Sequence, residues 1–444
     1  MLSSLFARLR AHSAVCATAA PALFLSLFGA LPEKAYATEQ GLTLASAQQR
    51  AVALSRQPLA RDYAAAASRE QAVAARELPD AVVTVGIDSV PVNGPDRYSL
   101  TRDFMTQRRI GVMQEFTRSD KRRLRAERFE LEAAKSEEEK QSVIATIQRD
   151  TALAWLDRYY TEAMAAVIAE QVAEAQRAID GAESGYRGGR GTQADVLAAR
   201  SALALAQDRA SDMARRVANA RLMLARWTRA APDTPLAGRP EIDTVNLDPA
   251  TLALQLAQHP QNRMLLREQE LASAEASLAR ADRNPDWSVE LAYQQRGSAY
   301  SDMVSVAVSV PLQWNRKNRQ DRALAAKLAT VEQIKADNEE ALRSDLAQVR
   351  VMMDEWTANR KRVDRYSREL LPLAQARIEA SLAAYRGGKA SLADVLSTRR
   401  EEVDMRLQAL QLEAETARLW AQLNFLFPQS GAALAGAQIT GGRQ

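Results

Sequence analysis

Apolar and polar side chains alternate from Trp287 to Gln294: Trp287, Val289, Leu291 and Tyr293 stand against Ser288, Glu290, Ala292 and Gln294. That period of two predicts a strand with one apolar face. The alternation returns in Val304, Val306, Val308 and Val310 against Ser305, Ala307 and Ser309, after a turn at Arg296-Gly297-Ser298. Residues 286–313 therefore read as a β-hairpin. A weaker version in Val83, Val85 and Ile87, then Ile110, Val112 and Phe116, flanks the loop from Pro91 to Asp96 and predicts a hairpin over 81–117. A helical segment leads into each hairpin, Thr43 to Leu78 and Pro249 to Arg283. Each stops at the same signal, Pro79-Asp80 or Pro285-Asp286.

Beyond each hairpin the period changes to that of a helix. From Ser119 to Tyr186 the chain has no proline, and its only glycines, Gly181 and Gly185, come near the end. At about 1.5 Å per residue such a helix is on the order of 100 Å long, beyond the span of a globular domain. A twin runs from Arg316 to Tyr385, with a kink predicted at Pro372, which removes a backbone donor. Each long helix is followed by a return helix. In the first, Val196, Leu203, Ala210, Val217 and Leu224 recur every seven residues beside Ala199, Ala206, Met213, Ala220 and Trp227. In the second, Leu396, Val403, Leu410 and Ala417 accompany Leu407, Ala414 and Ala421. These are coiled-coil seams, and they predict long α-hairpins over 119–228 and 316–426.

The two halves are copies. Tyr186 to Arg200 reads YRGGRGTQADVLAAR and Tyr385 to Arg399 reads YRGGKASLADVLSTR, identical at nine of fifteen positions and 199 residues apart. A unit written twice implies that both halves play equivalent parts in one assembly. The expected organisation is a leader over 1–37, structural repeats over 38–240 and 241–427, and a flexible tail over 428–444 rich in Gly, Ala and Ser. The fold class is mainly α with a small β part.

Composition narrows this picture only slightly. Aromatic residues make up 5% of the chain and alanine is abundant, as closely packed long helices require. The charge of +4 is spread along the chain and gives no argument for a nucleic-acid partner. Arg8 and Arg10 precede an apolar stretch from Ala14 to Leu31 and a small-x-small site at Ala35-Tyr36-Ala37, the pattern of a cleaved signal peptide. The only cysteine, Cys16, lies inside that leader and has bulky Val15 before it, which argues against lipidation.

An isolated sheet of four strands cannot sit in lipid, because its edge backbone groups would go unsatisfied. In a membrane, three chains supplying twelve strands close an even-numbered barrel, its valines toward lipid, Ser305, Ser309, Glu290 and Gln294 toward water, and Trp287 and Trp314 in an interfacial girdle. Thr192 with Asp195, and Ser391 with Asp394, have capping-box spacing. Gly188-Gly189 and Gly387-Gly388 end helices. Two basic clusters, Lys121, Arg122, Arg123 and Arg125, and Arg316, Lys317, Arg319 and Arg322, call for anions at helix starts, with lipid headgroups as candidates. His259 and the pair Met352 and Met353 read as structural. No nucleophile-base set, phosphate loop or metal-ligand cluster is visible, so the chain reads as a non-enzyme without cofactor or metal.

The signal peptide, the duplicated plan and the doubled Tyr-x-x-Gly-x-x-Ser/Thr-x-x-Asp-Val-Leu turn resemble the TolC-like outer-membrane efflux channels, over nearly the whole chain after the leader. The resemblance implies a homotrimer in the outer membrane of a Gram-negative bacterium, with a twelve-stranded barrel and an α-helical tunnel through the periplasm. It also implies a periplasmic adaptor protein and an inner-membrane pump of the resistance-nodulation-division type as partners. The short chain looks most like the CzcC-like and CusC-like heavy-metal branch, which implies metal cations as cargo. By resemblance Thr192, Asp195, Ser391 and Asp394 lie at the channel entrance. Tyr186, Arg187, Gly188, Gly189 and Arg190, with Tyr385, Arg386, Gly387, Gly388 and Lys389, form the adaptor-docking tip. Some relatives carry a second acidic residue three positions on, where this chain has Ala198 and Ser397. The other reading is a periplasmic coiled-coil adaptor or scaffold, which explains the helices but not two alternating hairpins.

Overall fold

The computed structural model describes residues 41–429; the expected leader, Cys16 and residues 430–444 of the expected tail lie outside it. Its core is a set of long antiparallel helices joined to one small sheet. The segment leading into the first hairpin is two helices, α1 (Leu44–Leu54) and α2 (Gln57–Arg76), because Pro58 sits in the first turn of α2 and cannot extend the preceding helix. The second half repeats the break: α5 (Leu252–Ala257) gives way to α6 (Pro260–Ala281), which starts on a proline.

Four strands, β1 (Val82–Asp88), β2 (Gln107–Phe116), β3 (Trp287–Gln295) and β4 (Met303–Ser309), form one antiparallel sheet in the order β1-β2-β3-β4. The central pair joins the two repeats, with Val112 opposite Leu291 and Phe116 opposite Trp287. The rings of Phe116 and Trp287 stack 4.5 Å apart, so Trp287 has a partner within its own chain. One face carries Val83, Val85, Ile110, Val112, Leu291, Val304, Val306 and Val308, each between 46% and 75% exposed. The other is polar: Arg109 bridges Glu290, and Gln294 donates to the Ser305 hydroxyl at 2.7 Å. Gly111 packs closely on this face: a Cβ there would lie 3.1 Å from Glu290 Oε1 and 3.2 Å from the Ala292 methyl, so both would have to shift by a few tenths of an ångström. The outer edges of β1 and β4 pair with no described strand.

The first long α-hairpin is α3 (Ser119–Arg187) and α4 (Gln193–Thr228); α3, with 69 residues, is about 100 Å long. The second is interrupted. After a short 3-10 turn at Arg316–Asn318, α7 (Gln320–Arg365) runs into a π-helical turn, Tyr366–Leu370, before α8 (Leu371–Arg386) and the return helix α9 (Leu392–Asn424). The Leu371 N–H reaches back to the Tyr366 carbonyl, a widened turn just ahead of Pro372, whose ring crowds the usual four-residue spacing. The kink expected at Pro372 thus takes the form of a π turn upstream of it.

The main core lies where α1, α3, α4 and α9 meet. Trp155, Leu156 and Tyr160 of α3 pack on Leu224, Ala414, Ala417 and Ala421, and Trp155 donates its indole N–H to the Leu42 carbonyl at 2.8 Å. Alanines at these positions let the helix backbones approach closely. In α4 the row Ala199, Ala206 and Met213 is buried, as the seven-residue spacing requires. In α9 burial spreads wider, to Val395, Val403, Ala409 and Leu412, because α9 has α3 on one flank and α7 with α8 on the other. Met352 and Met353 pack beside the cluster of Leu252, Leu256, Val349 and Leu423. His259 contacts the Leu426 carbonyl at 2.9 Å and sits edge-on to Phe427; burial holds its imidazole below the ordinary value.

One expectation is overturned at the base of the sheet. Lys121 does not face outward to lipid: it is 3% exposed and paired with Asp286 at 2.9 Å and Asp282 at 3.5 Å. The anion wanted at this helix start is a carboxylate of the second repeat, supplied within the chain.

Candidate site at the paired helical turns

Each long helix ends in the same turn. In the first, the Gly189 N–H donates to the Tyr186 carbonyl at 3.1 Å and the Arg190 N–H to the Gly185 carbonyl at 2.9 Å. In the second, Gly388 donates to Tyr385 at 3.0 Å and Lys389 to Ala384 at 2.8 Å. This is a Schellman motif built twice. It needs a left-handed residue, and Gly189 and Gly388 take it at φ +67° and +70°. Gly188 and Gly387 cap their helices from ordinary backbone geometry.

The return helices open on capping boxes. The Thr192 N–H and hydroxyl both donate to Asp195 Oδ2 at 2.8 Å, and the Asp195 N–H donates back to the Thr192 hydroxyl at 3.2 Å. Ser391 and Asp394 reproduce the arrangement at 2.9, 2.7 and 3.2 Å. Hydrogen bonds from the Ser391 hydroxyl and N–H hold the Asp394 carboxyl below the ordinary aspartate value. Each of the two aspartates therefore has one oxygen engaged in its cap.

The remaining residues of the turns are outward. Tyr186 is 52% and Tyr385 39% exposed. Arg187, Arg190, Arg386 and Lys389 are exposed, and none belongs to a salt bridge among the described residues. Arg187 Nε reaches only the Glu183 carbonyl, at 3.4 Å. The turns thus end in four unpaired cations on a backbone fixed by hydrogen bonds, a surface that accepts carboxylates and carbonyls.

The two turns sit side by side. Leu392, the first residue of α9, is buried with Ile179, Ala182 and Ala199 of the first hairpin, whereas its counterpart Gln193 is exposed. A role for the last residue of the repeated stretch was not read from the sequence, although its identity in both copies was the signal. Arg200 and Arg399 tie the return helices to α3, through Glu183 at 2.8 Å and Glu174 at 3.5 Å. Among the described residues no three or more His, Cys, Asp or Glu side chains gather as a metal site. No described helix is long and apolar enough to cross a membrane.

No protein-family model and no curated protein matches the chain. Solved structures do. The chain is similar to CusC, described for its folding and transmembrane channel formation, at 16% identity over 87% of this chain and 92% of that one, with a TM-score of 0.74. It is similar to the Campylobacter jejuni CmeC outer membrane channel at 11% identity over 89% and 88%, with a TM-score of 0.73. The open state of the Neisseria gonorrhoeae MtrE outer membrane channel matches at 18% identity over 87% and 91%, with a TM-score of 0.67. The fold, mainly helical with a small four-stranded sheet, is that of the TolC-like outer-membrane channels.

Proposed function

We propose that this chain, which has the fold of the TolC-like channels, is the outer-membrane duct of a tripartite efflux system. Three copies form it, each giving four strands to a twelve-stranded barrel and two long α-hairpins to a tunnel. The observation that carries the reading is the sheet itself. Its apolar face is exposed, its opposite face is polar, and neither edge pairs with a described strand. An apolar face of this kind is stable against lipid, and unpaired edges in lipid demand further strands. A periplasmic scaffold has no use for such a face.

The paired turns form the periplasmic end. Their cations dock a periplasmic adaptor, and the pump behind it, of the resistance-nodulation-division type, selects the cargo, heavy-metal cations by the CusC-like resemblance. The free oxygens of Asp195 and Asp394, six in three copies, give the entrance a preference for cations.

Native mass spectrometry in detergent followed by planar-bilayer recording tests this. The expected results are a trimer, a stable conductance and a cation-selective reversal potential that moves toward zero in the double variant Asp195→Asn, Asp394→Asn. A monomer soluble without detergent overturns the duct; an unchanged reversal potential in an intact trimer leaves the aspartates as helix caps only.

A further inference from the structure

The start of α3 is held by the other repeat. Asp286, the residue before β3, accepts the Arg118 N–H through Oδ1 at 3.0 Å and the Lys121 ammonium through Oδ2 at 2.9 Å. The physical need is plain: an ammonium on the first turn of a helix opposes the positive end of the helix dipole, and a buried one requires a carboxylate. This contact welds helix to sheet at the seam where repeat one meets repeat two.

The sequence carries both partners a second time. Asn318-Arg319-Gln320-Asp321-Arg322 repeats Thr117-Arg118-Ser119-Asp120-Lys121, and Pro79-Asp80 repeats Pro285-Asp286. Here the pair is broken up. Arg322, the twin of Lys121, is exposed on the first turn of α7, with no hydrogen bond or ion pair among the described residues, and α7 has no side-chain cap. Asp80, the twin of Asp286, is exposed and equally unpartnered at the root of β1. Arg322 follows β4 and Asp80 precedes β1, the two free edges of the sheet. The Arg319 N–H already donates to the Asn315 carbonyl at 3.1 Å, so the side-chain pair is the part of the contact left to form.

We infer that Arg322 pairs with Asp80 of a second copy of this chain, repeating between copies the Lys121–Asp286 contact that each copy makes within itself. The inference rests on the ring-forming reading above and adds the residues that lock the ring. The strand registers agree with it. Val85 lies opposite Ile110 and Leu291 opposite Val306. Carrying the β2–β3 register onto the free edges then sets Val308 against Val85, and Val306 against Ile87, of the second copy. Val85, Val306 and Val308 all stay on the apolar face. Because β4 of one copy meets β1 of the next, the interface is head-to-tail and closes only as a ring.

Charge reversal reads the pair. Asp80→Arg and Arg322→Asp, each alone, should speed trimer dissociation in detergent by roughly tenfold, since a charge-assisted bond becomes a like-charge contact. The double swap should return it to near the parent rate. A second arm joins Val85→Cys with Val308→Cys in a Cys16→Ser background, and oxidation should yield a covalent trimer. If the cysteines cross-link and the trimer is indifferent to both single reversals, the Arg322–Asp80 pair is wrong while the ring stands. If the parent is monomeric and the cysteines do not cross-link, the ring reading falls, and the pair with it.

Discussion

Asp394 shows what a single carboxylate contributes at the turns. Its folded value lies below the ordinary 3.8 because the Ser391 hydroxyl and N–H donate to it. A carboxyl depressed on folding contributes stability that is complete above its unfolded value and is lost as pH falls through the folded one. Backbone amides 391–395 should therefore keep constant protection against hydrogen exchange, corrected for intrinsic rate, from about pH 7 to about pH 5, and lose it below about pH 4. Asp394→Ala should exchange several-fold faster at neutral pH and show no such transition. An alanine variant as protected as the parent would mean that the neighbouring Leu392 contacts, not the capping box, hold the turn.

At the scale of elements, α3 is the spine, contacting α1, α2, α4, α6 and α9 along its length. No propensity argument stabilises a helix of this length against its partners; burial of a few side chains does. Trp155 is the clearest, 1% exposed and bonded to the Leu42 carbonyl. Trp155→Ala should cost about 3–5 kcal/mol, seen as a lowered unfolding midpoint, by loss of transfer energy and a cavity that rigid helices cannot close. Trp155→Phe should cost less, losing mainly the indole hydrogen bond and some of the ring. Equal midpoints for parent and Ala variant would show that α1 is not anchored through this residue.

For the whole molecule, the cationic turns carry the proposed docking role. Reversing Arg187, Arg190, Arg386 and Lys389 to Glu should leave the unfolding midpoint within a few degrees of the parent, because exposed residues outside ion pairs contribute little to folding. On the proposed docking role it should abolish efflux and cross-linking to the adaptor, since a cationic surface that accepts carboxylates becomes one that repels them. Normal resistance and cross-linking at equal membrane abundance would leave the turns as helix connectors.

The elements and their duplication were legible in the order of residues alone. Period-two valines, the proline-free run after Ser119 and the Tyr186 and Tyr385 turns depend on neighbours a few residues away, and such local patterns are written in the chain. The Schellman turns and both capping boxes were legible for the same reason. Which residues meet across the repeats was fixed only by packing in three dimensions. Lys121 looked like a solvated or lipid-facing cation because its partner, Asp286, is 165 residues distant. Burial on two sides of α9 was hidden because a heptad pattern reports one seam, whereas α9 has two flanks. The π turn at Tyr366–Leu370 begins six residues ahead of Pro372, where the kink is expected, since a proline displaces strain onto the carbonyls of the preceding turn. Pairing β2 with β3, and so leaving the outer edges of β1 and β4 without a described strand, is likewise a long-range choice, and on it the proposed ring depends.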